Sequence, residues 1–384
     1  MLMTSPAAPP RPAGYDKKVA LVLQGGGALG SYQAGVYEAL AGSEYLPDWI
    51  AGISIGAINA AIIAGNPPEA RVERLRRFWQ GVTAPPAPWA GWGVEALAGF
   101  PGSRRRAAAM SALVFGQQGF FQPHGAAAWL FGPSPTSFYD TRNLKRTLEE
   151  LVDFDLLNSP AAPRLSVGAV NVRTGNFAYF DSADIRIRPE HIMASGALPP
   201  GFPAVEIDGE HYWDGGLVSN TPLQHVVTTI PRRSRLIFQV DVFSARGPLP
   251  TDLSEVAERE KDIRYSSRTR AASDTIRLTH DLRHNINTLW EKLPAELRDT
   301  PEGRFLYSFG CVTTMDIAQL IYRPHEVQGL SKDYEFSRAT MEERWTQGRE
   351  DARETLLASP WLEPMPPEHG ARTFDVAGRR MHNA

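Results

Sequence analysis

Residues 17–42 read KKVALVLQGGGALGSYQAGVYEALAG, and this stretch decides the fold. A short apolar run leads into a glycine loop, which is followed by Val36, Leu40 and small residues at helical spacing. The stretch therefore predicts a strand, a tight turn and a helix. Residues 48–64 repeat this order, with a short strand, a turn at Ser54 and a helix of small residues that ends before GNPP. Two such turns close together predict an α/β fold.

The remaining sequence continues this sheet. RLSVGAVNV and GNFAYFDS, joined by a turn containing Gly175, predict two strands. The sequence VEIDGEHYWDGG contains Asp208-Gly209 between alternating apolar residues, which predicts a hairpin that leads directly to Asp214. RLIFQVDVF predicts a further buried strand.

The organisation of the chain follows from changes in composition. Residues 1–16, rich in Pro and Ala, are expected to form a disordered arm, and residues 17–245 a catalytic domain. Residues 84–137 predict a cap-like insertion whose Trp89 and Trp92 either meet lipid or pack on helices. Residues 246–384 predict an extension of charged amphipathic helices.

Composition excludes several classes of protein. The 384 residues are 42% apolar and 22% charged, as in a folded globular enzyme. A net charge of −3 gives no reason to expect nucleic acid as a partner. A single cysteine, Cys311, excludes an internal disulfide framework and a cysteine-rich metal site. No uninterrupted apolar run is long enough to span a membrane, and the first residues lack a signal pattern, so we expect a cytoplasmic protein.

The first candidate for chemistry is the G-x-S-x-G match around Ser54. Gly52 and Gly56 flank Ser54 between a predicted strand and a predicted helix, which is the context that a nucleophile needs. Glycines on both sides allow a sharp turn that exposes the hydroxyl group. The alternative is a serine that only caps the helix.

The second candidate is the glycine loop, which we define as residues 25–30. Its backbone N–H groups, chiefly those of Gly25, Gly26 and Gly27, could stabilise the oxyanion that forms when Ser54 attacks a carbonyl. The same letters fit a dinucleotide-binding loop, and that alternative implies an oxidoreductase. A dinucleotide site needs an acidic residue at the end of the second strand, whereas Asp48 precedes that strand and the Ser54 turn follows it. The order favours a hydrolase.

The third candidate is the base that activates Ser54. His191, His211, His225 and His325 do not lie in patterns typical of a catalytic histidine. Asp214 follows a predicted strand and precedes Gly215 and Gly216, so its carboxylate would project from a strand end. A carboxylate needs a raised pKa to act as this base, and the alternative is an aspartate that caps a turn.

Together these three blocks resemble the active site of the patatin-like phospholipases, over about residues 17–243. The glycine loop, with Ala28 and Gly30, resembles the family's oxyanion loop, the Ser54 turn its nucleophile elbow, and Asp214 with its two glycines the D-G-G/A motif. The stretches ASGALP at 194–199 and Asn220-Thr221-Pro222 resemble sequences that flank this site. The C-terminal third is similar to a helical extension found in a bacterial subgroup.

The resemblance implies a three-layer α/β sandwich with a mostly parallel sheet, a Ser54–Asp214 dyad, and hydrolysis of fatty acyl esters in phospholipids, lysophospholipids or neutral glycerides. It implies no cofactor and no metal, a lipid or ester substrate, and possible peripheral contact with a membrane. Family members commonly carry Arg or Lys where this chain has Ala28. An acyltransferase that uses the same dyad and a lipid-binding protein with an idle dyad remain alternatives. The sequence does not predict the oligomeric state.

Overall fold

The fold was analysed in a computed structural model, which describes residues 10–83, 103–131, 134–324 and 331–378. Among these residues the strands are β1 (Lys18–Leu23), β2 (Trp49–Gly52), β3 (Gln122–Pro123), β4 (Tyr139–Asp140), β5 (Arg164–Asn171), β6 (Phe177–Asp181), β7 (Val205–Ile207), β8 (Glu210–Asp214), β9 (Arg235–Asp241), β10 (Met315–Ile321) and β11 (Ala371–Phe374). The helices are α1 (Gly30–Ala41), α2 (Ile55–Ala64), α3 (Arg71–Val82), α4 (Ser103–Phe115), α5 (Ala126–Phe131), α6 (Arg142–Leu151), α7 (Phe154–Leu157), α8 (Pro189–Ser195), α9 (Leu223–Thr228), α10 (Leu253–Lys292), α11 (Ala295–Arg298), α12 (Pro301–Phe309) and α13 (Arg338–Ala358).

Nine strands within the described residues form one mixed sheet in the order β11-β10-β9-β1-β2-β5-β8-β7, with β6 also paired to β5. The neighbours from β11 to β5 pair in parallel. The pairs β5/β6, β5/β8 and β7/β8 are antiparallel. The predicted mostly parallel sheet is therefore confirmed.

Helices cover both faces of the sheet. In β1, Val19, Leu21 and Leu23 belong to one apolar core together with residues of α1, α2, α3 and α13, whereas Ala20 and Val22 belong to a second core with residues of α9 and α10. Successive residues of a strand point to opposite faces, so β1 must be apolar from Val19 to Leu23. Both cores together give the three layers that the resemblance implies.

Strand β5 brings the Ser54 turn and Asp214 together. Its first half, from Arg164 to Val167, pairs with β2, and its last half, from Ala169 to Asn171, pairs with β8. Strand β6 pairs with β5 across both halves, so β2 and β8 must share the opposite edge. The end of β2, which leads into Ser54, therefore lies beside the end of β8 at Asp214.

The C-terminal region differs from the prediction in one respect. Most of it is helical, as predicted, but β10 and β11 add two parallel strands to the central sheet beside β9. The polar residue Asp316 interrupts the apolar pattern of β10, and its carboxylate is fully buried against Lys17 at 2.7 Å and Arg372 at 2.9 Å. Because this buried carboxylate is paired with residues that are distant in sequence, the periodicity of apolar residues does not indicate this strand.

Helices from the two ends of the chain pack at backbone contact. A Cβ atom on Gly35 of α1 would lie 1.9 Å from the carbonyl oxygen of Trp345, and one on Gly348 of α13 would lie 2.1 Å from that of Tyr32. Such distances are shorter than any tolerated contact, so both positions require glycine. The boundary predicted at residues 245 and 246 thus separates regions that pack into one core.

Residues 10–16, predicted as part of a disordered arm, lie against the fold. The Arg11 backbone N–H donates to a carboxylate oxygen of Glu44 at 2.6 Å, and the Arg11 side chain donates to the carbonyl of Lys17. Tyr15 donates to Asp316 at 3.4 Å. These bonds hold a segment whose composition alone gives no sign of order. No helix in the described ranges combines the length and the apolar character that crossing a bilayer requires.

Candidate active site

The Ser54 turn has the strained geometry expected of an exposed nucleophile. Ser54 has φ +56° and ψ −124°, a backbone conformation that residues other than glycine rarely adopt, and α2 begins directly after it. A Cβ atom on Gly52 would lie 2.3 Å from the carbonyl oxygen of Gly56, and one on Gly56 would lie 2.5 Å from that of Leu23. Only glycine fits at either position, so the predicted G-x-S-x-G pattern follows from the backbone.

Asp214 lies at the end of β8, is 2% exposed, and contacts Ser54. The Ser54 hydroxyl lies close enough to the carboxylate to lower its pKa, and the backbone N–H of Gly216 donates to the carboxylate at 2.7 Å. Burial raises the pKa of the Asp214 carboxyl to about 6, against the opposing effect of the Ser54 hydroxyl and the Gly216 N–H. The group is thus ionised at neutral pH and is a better proton acceptor than an ordinary aspartate.

Gly215 and Gly216 shape the turn after Asp214. A Cβ atom on Gly215 would lie 2.6 Å from the carbonyl oxygen of Gly168 in β5, so the chain must pass β5 without a side chain. Gly216 supplies the N–H group that orients Asp214. The two glycines that the sequence singled out therefore have separate tasks, one in packing and one in hydrogen bonding.

Two N–H groups of the glycine loop, those of Gly26 and Gly27, donate to no acceptor within the described part of the chain. The third predicted donor is used elsewhere, because the N–H of Gly25 donates to the carbonyl of Asn220 at 3.1 Å. The Asn220 side chain returns a bond to the Gly25 carbonyl at 3.0 Å. A Cβ atom on Gly25 would lie 3.0 Å from the Ser54 Cβ, so the loop runs directly beside the serine.

The other two residues singled out in this loop serve its packing. A Cβ atom on Gly30 would lie 2.5 Å from the Ile55 side chain, so Gly30 lets the start of α1 approach the start of α2. Ala28 is buried, and its N–H donates to the carbonyl of Asp333 at 2.8 Å. Gly27, at φ +54°, also lies against Asp333, because a Cβ atom there would be 2.3 Å from the same carbonyl oxygen.

Two residues that sequence reasoning did not select support this arrangement. Ser195 accepts, through its hydroxyl oxygen, the backbone N–H of Ser54 at 3.0 Å, and so fixes the turn. Gln24 is fully buried and accepts N–H bonds from Val242 at 2.7 Å and Phe243 at 3.0 Å, which ties the glycine loop to the end of β9. Ser195 lay within a stretch noted for its resemblance, whereas Gln24 gave no signal beyond its place after the strand.

A cleft of about 680 Å³ opens beside Ser54. Its apolar walls consist of Ile55, Ile58, Phe120, Phe121, Leu198, Phe202, Phe243, Tyr265, Tyr334 and Phe336. The insertion supplies two of these aromatic rings and the C-terminal region supplies three, so neither segment is remote from the site. The apolar walls are those of a site that takes an apolar group.

No histidine among the described residues lines this cleft. The Nε2–H of His225 instead donates to the carboxylate of Asp181 at 3.0 Å, which also binds Arg164, and the His225 ring stacks on Tyr179. His191 accepts the backbone N–H of Arg188 at 2.8 Å. Both bonds are those of structural histidines. His325 lies outside the described residues, as do Trp89 and Trp92.

The dinucleotide alternative has no support at the glycine loop. Its required carboxylate would have to come from Asp48, which forms ion pairs with Arg235 at 2.8 Å and Lys18 at 3.9 Å. These three residues lie at the amino ends of β2, β9 and β1, whereas the glycine loop follows the carboxyl end of β1. Asp48 is therefore at the wrong edge of the sheet to bind a ribose beside the loop.

Comparison with known structures gives two similar chains. VipD from Legionella pneumophila is 14% identical, with 92% of this chain and 70% of VipD covered and a TM-score of 0.38. The type III effector protein ExoU is 13% identical, with 93% of this chain and 55% of ExoU covered and a TM-score of 0.34. This chain thus spans about half the length of ExoU.

Family models match two segments of the chain, whereas no curated protein matches it. Residues 263–368 match a model described as patatin phospholipase. Residues 21–227 match the model described as patatin-like phospholipase, and this segment is more than half of the 384 residues. The chain belongs to the patatin-like phospholipase family.

Proposed function

We propose that the protein hydrolyses carboxylic esters of fatty acids, with Ser54 as the nucleophile and Asp214 as the base. The observation that carries this proposal is the position of the Ser54 hydroxyl group beside a buried carboxylate whose pKa is raised to about 6. A serine needs such an acceptor before it can attack a carbonyl. The apolar cleft beside Ser54 would take the acyl chain.

The reaction proceeds in two halves. Ser54 Oγ bonds to the ester carbonyl carbon while its proton passes to Asp214, and the N–H groups of Gly26 and Gly27 hold the resulting oxyanion. The carbonyl re-forms as the bond to the alcohol oxygen breaks, and Asp214 returns the proton to that oxygen. Water then attacks the acyl-enzyme, with Asp214 again taking the proton and Ser54 recovering it as the fatty acid leaves.

The surface beside the cleft supports contact with a lipid aggregate. Met110, Val114, Phe115, Trp129 and Phe138 are each about half exposed, with exposed fractions from 46% to 58%. Trp129 packs against Phe138 at 6.4 Å between ring centres. Phe138 directly precedes Tyr139, whose ring lies 5.0 Å from that of Phe121 in the cleft wall. We define these five residues as the apolar rim, and we propose that the rim touches the lipid surface.

The test is hydrolysis of p-nitrophenyl esters by the wild type, Ser54→Ala and Asp214→Asn, combined with labelling by a fluorophosphonate. We expect both substitutions to lower kcat by at least about 10³-fold, because each removes a partner of one proton transfer. Ser308→Ala and Asp184→Asn, at exposed positions outside the cleft, are the matched controls.

Full activity of Ser54→Ala would contradict the proposal. Activity that survives only in Asp214→Asn would leave the nucleophile in place and assign the base elsewhere. A wild type that hydrolyses no ester and takes up no fluorophosphonate would favour a lipid-binding protein with an idle dyad, because labelling requires an activated serine.

A further inference from the structure

Residues 331–336, with the sequence SKDYEF, pack against the glycine loop at Gly27 and Ala28, and we call this segment the strap. The carbonyl of Asp333 accepts the Ala28 N–H at 2.8 Å, and Gly27 lies against the same carbonyl. Three strap residues, Asp333, Tyr334 and Phe336, also line the cleft. The strap is thus part of the site although it is about 300 residues from the loop in sequence.

One guanidinium group joins the strap to the loop. Arg344 of α13 is 1% exposed, and its Nη1 donates to the carbonyl of Ala28 at 3.1 Å and to that of Glu335 at 3.3 Å. Its Nη2 donates to the carbonyl of Lys332 at 2.9 Å. Both peptide groups that flank Ala28 are therefore fixed. The carbonyl of Asp333 accepts the N–H of the first, and Arg344 donates to the carbonyl of the second.

We propose that Arg344 is a positioning residue of the oxyanion hole, because it fixes the glycine loop against the strap so that Gly26 and Gly27 present their N–H groups to the oxyanion. This inference rests on the proposed function. A donor stabilises an oxyanion only within a narrow range of distance and direction, and misplacement by about 1 Å can cost about 100-fold in rate. A loop rich in glycine has little rigidity of its own and needs an external support.

Ion pairs hold the strap on its other side. Lys332, 3% exposed, binds Glu258 at 3.2 Å and Asp262 at 2.5 Å, and Lys261 binds Asp333 at 2.5 Å. Buried ion pairs of this kind are poor sources of stability, since desolvation of the charges offsets their attraction. Directional bonds do restrict geometry, however. A segment fixed by charges on one side and by Arg344 on the other is suited to hold a loop in one position.

The experiment compares Arg344→Met and Arg344→Lys with Arg349→Met. Arg349 lies on the same helix and also joins α13 to α1, through Glu38 at 3.5 Å, but it does not touch the glycine loop. For each variant we would measure kcat and KM with a p-nitrophenyl ester, and the affinity for an alkyl trifluoromethyl ketone, whose serine adduct carries an oxyanion. Binding of the matching alkyl alcohol reports the cleft alone.

We expect kcat of Arg344→Met to fall by about 10- to 100-fold and the affinity for the ketone to fall by the same factor. KM and the affinity for the alcohol should change less than kcat, since the Arg344 side chain does not itself line the cleft. Arg344→Lys keeps the charge beside Glu335 but lacks the planar guanidinium that reaches three carbonyls. Its kcat and its affinity for the ketone should therefore fall by an intermediate factor. Arg349→Met should retain the wild-type values.

Arg344→Met leaves several buried carbonyl groups unpaired and can fail to fold. Lys261→Met then supplies a milder test, because Lys261 is nearer the surface and loss of its bond to Asp333 loosens the strap alone. The kcat of Lys261→Met and its affinity for the ketone should each fall by about 3- to 10-fold. Folded Arg344 and Lys261 variants with unchanged kcat and ketone affinity would overturn the inference. Equal losses in ketone and alcohol binding would also overturn it, since they indicate general disruption. An inactive wild type would instead contradict the proposed function.

Discussion

The two regions of the chain contribute to one site in different ways. Residues 17–245 contribute the groups proposed to react, Ser54 and Asp214, each set among glycines that the backbone requires. The C-terminal region contributes position, through the backbone carbonyl of Asp333 and the buried guanidinium of Arg344. Reactive groups dictate the residue types around them, whereas a carbonyl is present at every residue. The residues proposed to react can therefore be recognised from a sequence motif, whereas the residues that position them cannot.

Gly27→Ala should have the largest effect, because it separates the two regions where they touch. The new Cβ atom would lie 2.3 Å from the carbonyl oxygen of Asp333, and the residue would have to keep φ +54°. We expect the loop to shift and kcat to fall by about 10²- to 10³-fold, which is the cost of losing an oxyanion donor. The measurement is the rate of p-nitrophenyl ester hydrolysis.

Gly81→Ala is the matched control, because nothing lies within 4 Å of a Cβ atom at that position in α3. It should leave the rate unchanged. If Gly27→Ala also leaves the rate unchanged, the contact between the strap and the glycine loop has no bearing on the reaction, and the comparison between the regions fails.

The pH profile separates reaction from support. Burial raises the pKa of Asp214 to about 6, so the carboxylate is ionised above that pH and protonated below it. Only the ionised form can accept the Ser54 proton, so kcat/KM should be constant above about pH 6 and fall about tenfold per unit below it. Arg344 bonds to the glycine loop through the carbonyl of Ala28. Arg344→Lys should therefore lower the plateau and leave the midpoint in place.

A midpoint that moves in Arg344→Lys would mean that the strap acts on the base and not on the glycine loop alone. A rate that stays constant below pH 5 would show that Asp214 is not the group whose ionisation limits the reaction.

Binding to liposomes should show the smallest difference between the regions. Trp129→Ala together with Phe138→Ala removes the largest side chains of the apolar rim, and we expect the partition coefficient to fall by about three- to tenfold. Phe305 and Phe309 of α12 are also exposed, at 68% and 46%, but lie in the C-terminal region outside the cleft. Phe305→Ala with Phe309→Ala is the matched control and should bind as the wild type does. Equal losses in both pairs would assign lipid contact to exposed apolar surface in general.

Particular residues show how much of the fold and of the candidate site can be predicted from the sequence. Both strand-to-helix turns and the hairpin at Asp208-Gly209 were predicted correctly, because glycine marks each of them locally. Asp214 was selected as the base from the strand before it and the two glycines after it, whereas its position beside Ser54 depends on the pairing of the distant strands β2 and β8 along one edge of β5. The same limit applies to Asp316, whose partner Lys17 is 299 residues away.

Gly25 illustrates a different limit. The sequence predicted it as a third donor to the oxyanion, but its N–H is bonded to the carbonyl of Asn220. A glycine-rich stretch shows that several N–H groups are accessible, and it does not show which of them another carbonyl already occupies. Asn220 had been noted only as part of a flanking stretch.

The separation of Ala28 from Arg344 has a consequence for protein synthesis. These residues are 316 positions apart, and Arg344 is the later of the two to be synthesised. A ribosome completes Ser54, Asp214 and every glycine of the loop well before it adds the strap and α13. A nascent or prematurely terminated chain therefore carries both proposed reactive side chains without the contacts that hold the loop. Assembly of the proposed oxyanion hole thus has to wait until α13 has been synthesised.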